Sequence, residues 1–480
     1  MSEYRPEPVL RQPWSGVIAS ATAAQRRWVP NPSRQPPRHT IAAAAPVLKD
    51  RRLKSVDLAD QALAAANALG PVLNAFAFLD QGGALAQARE RDRELEAGIY
   101  RGPLHGIPIT VKDIIDVGGL PTGAACDSFD RLPSDDAVSV ARLRAAGAVI
   151  LGKVTTHQFA LGVTSPQSRN PHDRGRLPGG SSGGSAIAVA TGMGFASLGT
   201  DTRASIRVPA ALSGVVGFKP TFGGIPVEGL VFLSWSIDNI APMARSVEDA
   251  ALMMDVLMGL EQSLAAVAGA DVTGLKVGIP PAALSGAGPE VIRAFEAATE
   301  AMRAGGISLC EVTRPSDQDF DNSNAAGLII SRCEAAAAHR SMNVDPAAYW
   351  QEVREQIEEG EATSAIDYLD AQRLRAELSE GMLAVFDGLD VLAMPTALCT
   401  APPAEDFADY LYLLSRNAIP WSLVGFPAIS VPCGFSPEGL PIGIQFVARP
   451  GEEATLVALG SAFEERLLPL WDQRNAVLTY

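Results

Sequence analysis

The chain reads as an α/β protein. Short apolar, β-branched runs alternate with helical patterns in a βαβ rhythm, and a hydrophobic fraction of 47% over 480 residues can bury a large core. Glycine numbers 44 among many alanines, which adds the expectation of close helix-to-sheet packing. Length alone accommodates two or three average domains or one large one.

Taken in order, residues 1–54 are a basic, proline-rich N-terminal arm. It holds 10 Lys or Arg against 3 acids, about +7, so with a chain total of −15 the remainder stands at about −22. Little periodicity predicts a segment extended along the body or partly disordered, with docking on an acidic face of a second subunit as the alternative. Arg26-Arg27 resembles a twin-arginine export signal only superficially, because Pro30, Pro32, Pro36 and Pro37 stand where the apolar region should begin. Over 56–69, Leu58, Ala62, Leu63, Ala66 and Leu69 share one helical face, which Gly70-Pro71 should stop. Residues 83–97 form a charged surface helix. Residues 107–111 read as a buried strand with Lys112 at its C-terminal end, where open α/β sheets bind ligands. A helix over 136–146 and a strand over 148–153 continue the rhythm, and residues 185–199 read as a buried helix. Further on come a helix at 247–259, a strand at 275–279, a helix at 290–304, a mainly helical region at about 315–385 and a strand at 390–396.

Composition narrows the function. An acidic chain is a poor general binder of nucleic acid or anionic membranes, and no apolar run reaches the roughly 18 to 20 residues of a membrane span. Cys126, Cys310, Cys333, Cys399 and Cys433 are scattered without Cys-x-x-Cys spacing, so neither a disulfide framework nor a zinc site is indicated, and a reducing cytoplasm fits. No metal-ligand cluster is visible and no cofactor is called for. A small molecule is the default substrate.

The informative stretch runs from Pro178 to Pro220. Four glycines and three serines occupy residues 179–185, putting bare backbone N–H groups and hydroxyls at one point, as nucleophilic acyl chemistry or anion binding requires. A phosphate-binding loop would need Gly-Lys-Ser/Thr, and none is near. Gly180-Ser181-Ser182-Gly183-Gly184 formally satisfies a Gly-x-Ser-x-Gly nucleophile elbow, but downstream there is only His339, within an Ala-rich helical pattern, to complete it. A flexible linker conflicts with the apolar flanks. His157 and His172, in the preceding loop, read as structural hydrogen-bonding residues. With no usable histidine, a base for amide hydrolysis must be another group, and a desolvated lysine such as Lys112 can serve because burial leaves it neutral.

Residues 179–186, Gly-Gly-Ser-Ser-Gly-Gly-Ser-Ala, followed by Gly199-Thr200-Asp201, Ser205-Ile206-Arg207 and Gly217-Phe218-Lys219-Pro220-Thr221, resemble the signature of the amidase signature family. The likeness extends upstream to 102–113 and downstream through 241–250, 425–432 and 440–445, covering roughly residues 55–465. It implies a single large α/β domain at 55–480, with a central mixed β-sheet flanked by helices and a variable helical substrate region at about 315–385. It further implies a Ser-Ser-Lys triad: Ser205 as nucleophile, Ser181 as bridging serine in a cis peptide with Gly180, and Lys112 as base. The oxyanion hole would be the backbone N–H groups of Thr202, Arg203, Ala204 and Ser205. Asp201 and Arg207 would brace the turn, with Ser182 and Ser185 as supporting hydroxyls; Asp113 reads as a strand-end cap or helix-start residue rather than an acid catalyst. The chain departs from the family at Arg203, usually small or Gly, and at Ala204, usually Gly. Arg203 either enters the acyl or leaving-group pocket or turns away to pair with an acid of the body, and the second is the expectation. The implied activity is hydrolysis of a small-molecule amide through an acyl-enzyme. Alternatives are the glutamine-hydrolysing subunit of a tRNA-dependent amidotransferase, a carbamate or urea hydrolase of the same family, and a degenerate binding subunit. A homodimer or a small partner subunit is left open.

Overall fold

The computed structural model describes residues 39–129 and 131–478. Most of the N-terminal arm, with Arg26-Arg27 and its prolines, therefore lies outside the described residues. Its last part is a helix, α1 (Ile41–Lys49), where the sequence suggested no element. Thr40 caps it, and Ile41, Ala42, Ala45 and Leu48 are buried. The buried Asp249 carboxylate accepts from the Ile41 and Ala42 N–H groups at 2.8 and 3.0 Å, so α1 is held to the body at its N-terminus.

One mixed sheet of 11 strands organises everything else. Its strands are β1 (Phe76–Leu79), β2 (Pro108–Lys112), β3 (Val149–Val154), β4 (Ala196–Asp201), β5 (Val216–Lys219), β6 (Asn239–Ala244), β7 (Lys276–Ile279), β8 (Ser308–Glu311), β9 (Val391–Pro395), β10 (Ala428–Phe435) and β11 (Pro441–Val447). They lie in the order β1-β3-β2-β4-β6-β5-β10-β11-β9-β7-β8. β2 runs parallel to both β3 and β4, whereas β4 meets β6 antiparallel. Every residue of β2, β3, β4, β5, β6, β9 and β11 is buried, as expected of strands covered on both faces.

The covering helices follow their sequence patterns closely. α2 (Ser55–Leu73) and α3 (Gln81–Glu96) pack near the β3 edge, and α4 (Val138–Ala145) precedes β3. α5 (Gly183–Ala190) and α6 (Arg207–Ser213) flank β4 in the chain, and α7 (Val247–Met258) follows β6. α8 (Pro289–Ala304) buries Val291, Ala294, Phe295, Ala298 and Met302, one stripe of a 3.6-residue period. A wall of three helices follows: α9 (Asp317–His339), opened by a Ser316–Asp319 capping box, then α10 (Gln351–Ala362) and α11 (Ala365–Ala384).

Two expectations are corrected. α2 does not stop at Gly70-Pro71; it runs on to Leu73 and ends at Asn74 in the left-handed conformation, because burial of Leu73 in the core outweighs the N–H donor that Pro71 lacks. Residues 185–199 are not one helix. α5 ends at Ala190, Gly192 turns the chain at φ 76°, and the rest becomes β4, inserted between β2 and β6. A fully buried strand and a buried helix look alike in an unbroken apolar run.

Candidate active site

The site lies where β2 and β4 end side by side. β2 carries Lys112 as its last residue; the turn after β4 carries Ser205; the loop leading into α5 carries Ser181. The packing explains two signature glycines. A Cβ on Gly180 would stand 2.0 Å from the Thr164 carbonyl oxygen, and one on Gly184 would stand 2.5 Å from the Thr155 N. Only glycine lets the loop approach so closely. The Gly180–Ser181 peptide is cis.

Lys112 is completely buried, and its Nζ donates to Ser181 Oγ at 2.6 Å and to Thr200 Oγ1 at 2.7 Å. Among the described residues no carboxylate is paired with it. Burial, opposed in part by the more distant charges of Asp238 and Asp201, pulls its pKa down to about 7. A neutral amine in contact with a hydroxyl can take that hydroxyl's proton.

Ser205 is 4% exposed and lines a cavity of about 610 Å³. Its carbonyl accepts from the Ser182 N–H at 3.4 Å, tethering the two serine-bearing segments. Ser182 Oγ donates to the Thr200 carbonyl at 3.1 Å and accepts from the Thr200 N–H at 3.3 Å, joining the start of α5 to β4. Ser185 Oγ is buried without a partner, so this supporting hydroxyl supports nothing polar. Within the turn, the N–H groups of Arg203, Ala204 and Ser205 have no acceptor among the described residues.

Asp201 and Arg207 form a fully buried ion pair, with Nε to Oδ2 at 3.0 Å and Nη2 to Oδ1 at 3.2 Å. Ser422 Oγ donates to Asp201 Oδ1 at 2.7 Å, the Ile206 N–H donates to its Oδ2 at 3.2 Å, and Arg207 reaches Gln445 Oε1 at 3.1 Å. Each charge is thus both paired and hydrogen-bonded, which a buried ion pair requires. The Arg207 guanidinium holds the Asp201 carboxyl below its ordinary value against the effect of burial.

Other placements differ from expectation. Asp113 follows the last residue of β2 and starts no helix; its carboxylate accepts from the Gly123 N–H and also lies 3.1 Å from Lys153 Nζ. Arg203 does not pair with an acid: its Nη2 donates to Asn324 Oδ1 at 2.6 Å, and the residue lines the cavity beside Ser205. The side chain turns toward α9, which carries Asn324. His157 lines the same cavity, with Nδ1 against the Gln158 carbonyl at 3.3 Å; burial lowers its pKa to about 4, so it is neutral. His172 stays outside, against the Ser213 carbonyl.

Three functional neighbours escaped the sequence. Thr200 sat in the Gly-Thr-Asp motif, where its hydroxyl was a readable signal. Asp238 accepts from Thr202 Oγ1 at 2.6 Å and from the Leu233 and Ser234 N–H groups at 2.9 and 3.0 Å, pinning the turn from below. Asn324 sits on α9, far away in sequence and without any local signal.

A buried lysine with its pKa lowered to about 7 against a serine, beside a cavity serine on a turn with free N–H groups, is an arrangement compatible with C–N bond hydrolysis on an α/β sheet. The amidase family model matches residues 57–457, and the chain belongs to the amidase family. It is 36% identical over 471 residues to the A subunit of glutamyl-tRNA(Gln) amidotransferase from Roseiflexus castenholzii (strain DSM 13941 / HLO8), covering 88% of this chain and 95% of that protein. To an amidase of Pseudomonas putida it is 35% identical over 464 residues, covering 92% and 98%. A crystal structure of an amidase superposes with a TM-score of 0.82 at 35% identity, over 89% of this chain and all of the other. No helix among the described residues is long and apolar enough to cross a membrane.

Proposed function

We propose that this amidase hydrolyses a small-molecule amide through an acyl-enzyme on Ser205, with Ser181 relaying the proton and Lys112 receiving it. The observation that carries this reading is the contact of 2.6 Å between Lys112 Nζ and Ser181 Oγ, made by a buried lysine with no paired carboxylate. Neutral Lys112 takes the Ser181 proton as Ser181 takes that of Ser205, whose oxygen attacks the substrate carbonyl. The oxyanion forms against the turn of Thr202, Arg203, Ala204 and Ser205, where the free N–H groups of Arg203, Ala204 and Ser205 supply donors. The proton returns through Ser181 to the leaving nitrogen, the C–N bond breaks, and water then repeats the attack on the acyl-enzyme. Asp201 and Arg207 keep the turn in place throughout. Residues 55–480 act as one catalytic unit, with α9 and α10 lining the substrate cavity.

A second reading is favoured by the 36% identity to a glutamyl-tRNA(Gln) amidotransferase component: a glutamine-hydrolysing chain that works with partner subunits. Carbamates and ureas would pass through the same steps. The five free cysteines support a cytoplasmic setting. Labelling with a fluorophosphonate, compared between wild type and Ser205→Ala, tests the nucleophile; a chain retained only for binding would not label. Ammonia or amine release from a panel of amides, glutamine, carbamates and ureas sorts the substrate classes.

A further inference from the structure

Arg203 is the place where the cavity departs most from a neutral amide site. It stands two residues from Ser205 and reaches into the same cavity. Of its guanidinium nitrogens, Nη2 is held by Asn324 Oδ1, Nε is enclosed without a partner, and Nη1 has none among the described residues. The charge that acts on it is that of another cation, Arg332, which also lines the cavity and is itself paired with Glu359. Burial and Arg332 lower the Arg203 pKa to about 10, which still leaves it protonated at neutral pH. A protonated guanidinium that is partly buried in a cavity and left without an anion is costly, and protein sites normally supply the missing partner.

The acids of the cavity do not serve that purpose. Glu359 is engaged by Arg332, Glu352 stands 3.7 Å from His157, and Glu355 completes an exposed row on α10. The side chains of Glu352 and Glu359 are 53% and 56% exposed, so they are solvated groups at the outer wall, whereas Arg203 belongs to the nucleophile turn. Among the described residues none supplies an anion to Arg203.

We propose that the substrate of Ser205 carries a carboxylate, and that Arg203 is its recognition residue, with Asn324 fixing the guanidinium plane so that its remaining N–H donors face the incoming group. This rests on the reading of Ser205 as nucleophile and adds the substrate class: half-amides of dicarboxylic acids and other acid-bearing amides. A planar guanidinium held from one edge presents its other N–H groups to a carboxylate in a fixed geometry.

The test is competition against fluorophosphonate labelling of Ser205, using succinate and its neutral isostere succinamide as protecting ligands. In wild type, succinate should protect at a concentration at least about tenfold lower than succinamide. In Arg203→Gln that advantage should fall to within about twofold, and Arg203→Lys should restore part of it. The ratio is taken within each variant, so changes in labelling rate cancel. Equal protection by the two ligands in wild type, or an advantage that survives in Arg203→Gln, overturns the proposal. Absence of labelling in wild type overturns the nucleophile assignment instead, and the proposal with it; labelling without selective protection overturns only the role of Arg203.

Discussion

Lys112 and Lys153 sit on neighbouring parallel strands, where Lys112 is registered with Val154 and Val111 with Lys153. Both are completely buried. Lys153 has a carboxylate, Asp113, at 3.1 Å, and donates to Thr122 Oγ1 at 2.9 Å and the Pro121 carbonyl at 3.1 Å. Lys112 has two hydroxyls and no paired carboxylate. Burial lowers both pKa values, but the Asp113 charge offsets part of that effect only at Lys153. Equal burial therefore yields different chemistry: one amine is a structural partner to a carboxylate, and the other is free to accept a proton near neutral pH.

The largest effects should come from the catalytic side. Ser205→Ala should abolish turnover, Lys112→Met should reduce it at least about 10⁴-fold, and Ser181→Ala by several orders of magnitude, with circular dichroism unchanged. Residual activity of more than a few per cent in Ser205→Ala would show the nucleophile to be elsewhere. Lys153→Met should behave oppositely. It leaves Asp113 buried and unpaired, so denaturant unfolding should show a loss of about 3–5 kcal/mol. A stable Lys153→Met protein would dissolve the contrast between the two lysines.

The pH dependence separates them again. With Lys112 at about 7 in the folded chain, kcat/KM should rise through about pH 7 and level off on the alkaline side. A rate maximum below about pH 6 would point to a carboxylate base. Stability has a definite sign as well. Between about 7 and the ordinary value of 10.5, the unfolded chain binds a lysine proton that the folded chain lacks, so stability rises with pH across that window. The cost of burying Lys112 is complete below pH 7. Lys112→Met removes it, so its gain over wild type in urea unfolding should be larger at pH 6.5 than at pH 9.5. Asp238 acts on Lys112 through charge, raising its pKa. Asp238→Asn should therefore move the rate profile to lower pH, and an unmoved profile would confine Asp238 to bracing Thr202.

The smallest effects belong to the threonines that accept from each amine. Thr200→Val should lower kcat about tenfold by loosening Lys112, whereas Thr122→Val should keep activity and cost about 1 kcal/mol of stability. Similar kinetics in the two variants would mean that the hydroxyl beside Lys112 has no part in setting its position.

Much of the site was legible before any coordinates. Lys112, Ser181, Ser205, Asp201 and Arg207 stand in short motifs whose glycines and polar residues are dictated by local close approach, as at Gly180 and Gly184. Amphipathic helices such as α8 announced themselves by period. β4 did not, because a strand buried on both faces has no alternation to read. Pro71 suggested a helix end, but the burial of Leu73 outweighed it.

The residues proposed for the chemistry are written in the chain's own motifs, since each motif carries its own turn. Their surroundings are not, and come from packing across the molecule. Thr202 finds Asp238 36 residues away, and Arg203 finds Asn324 121 residues away. Which lysine keeps a carboxylate and which has only hydroxyls likewise follows from strand register across the sheet. Such long-range partners exist only once the helices are packed on the strands, because burial and distance set both the charge of a group and the partner left to satisfy it.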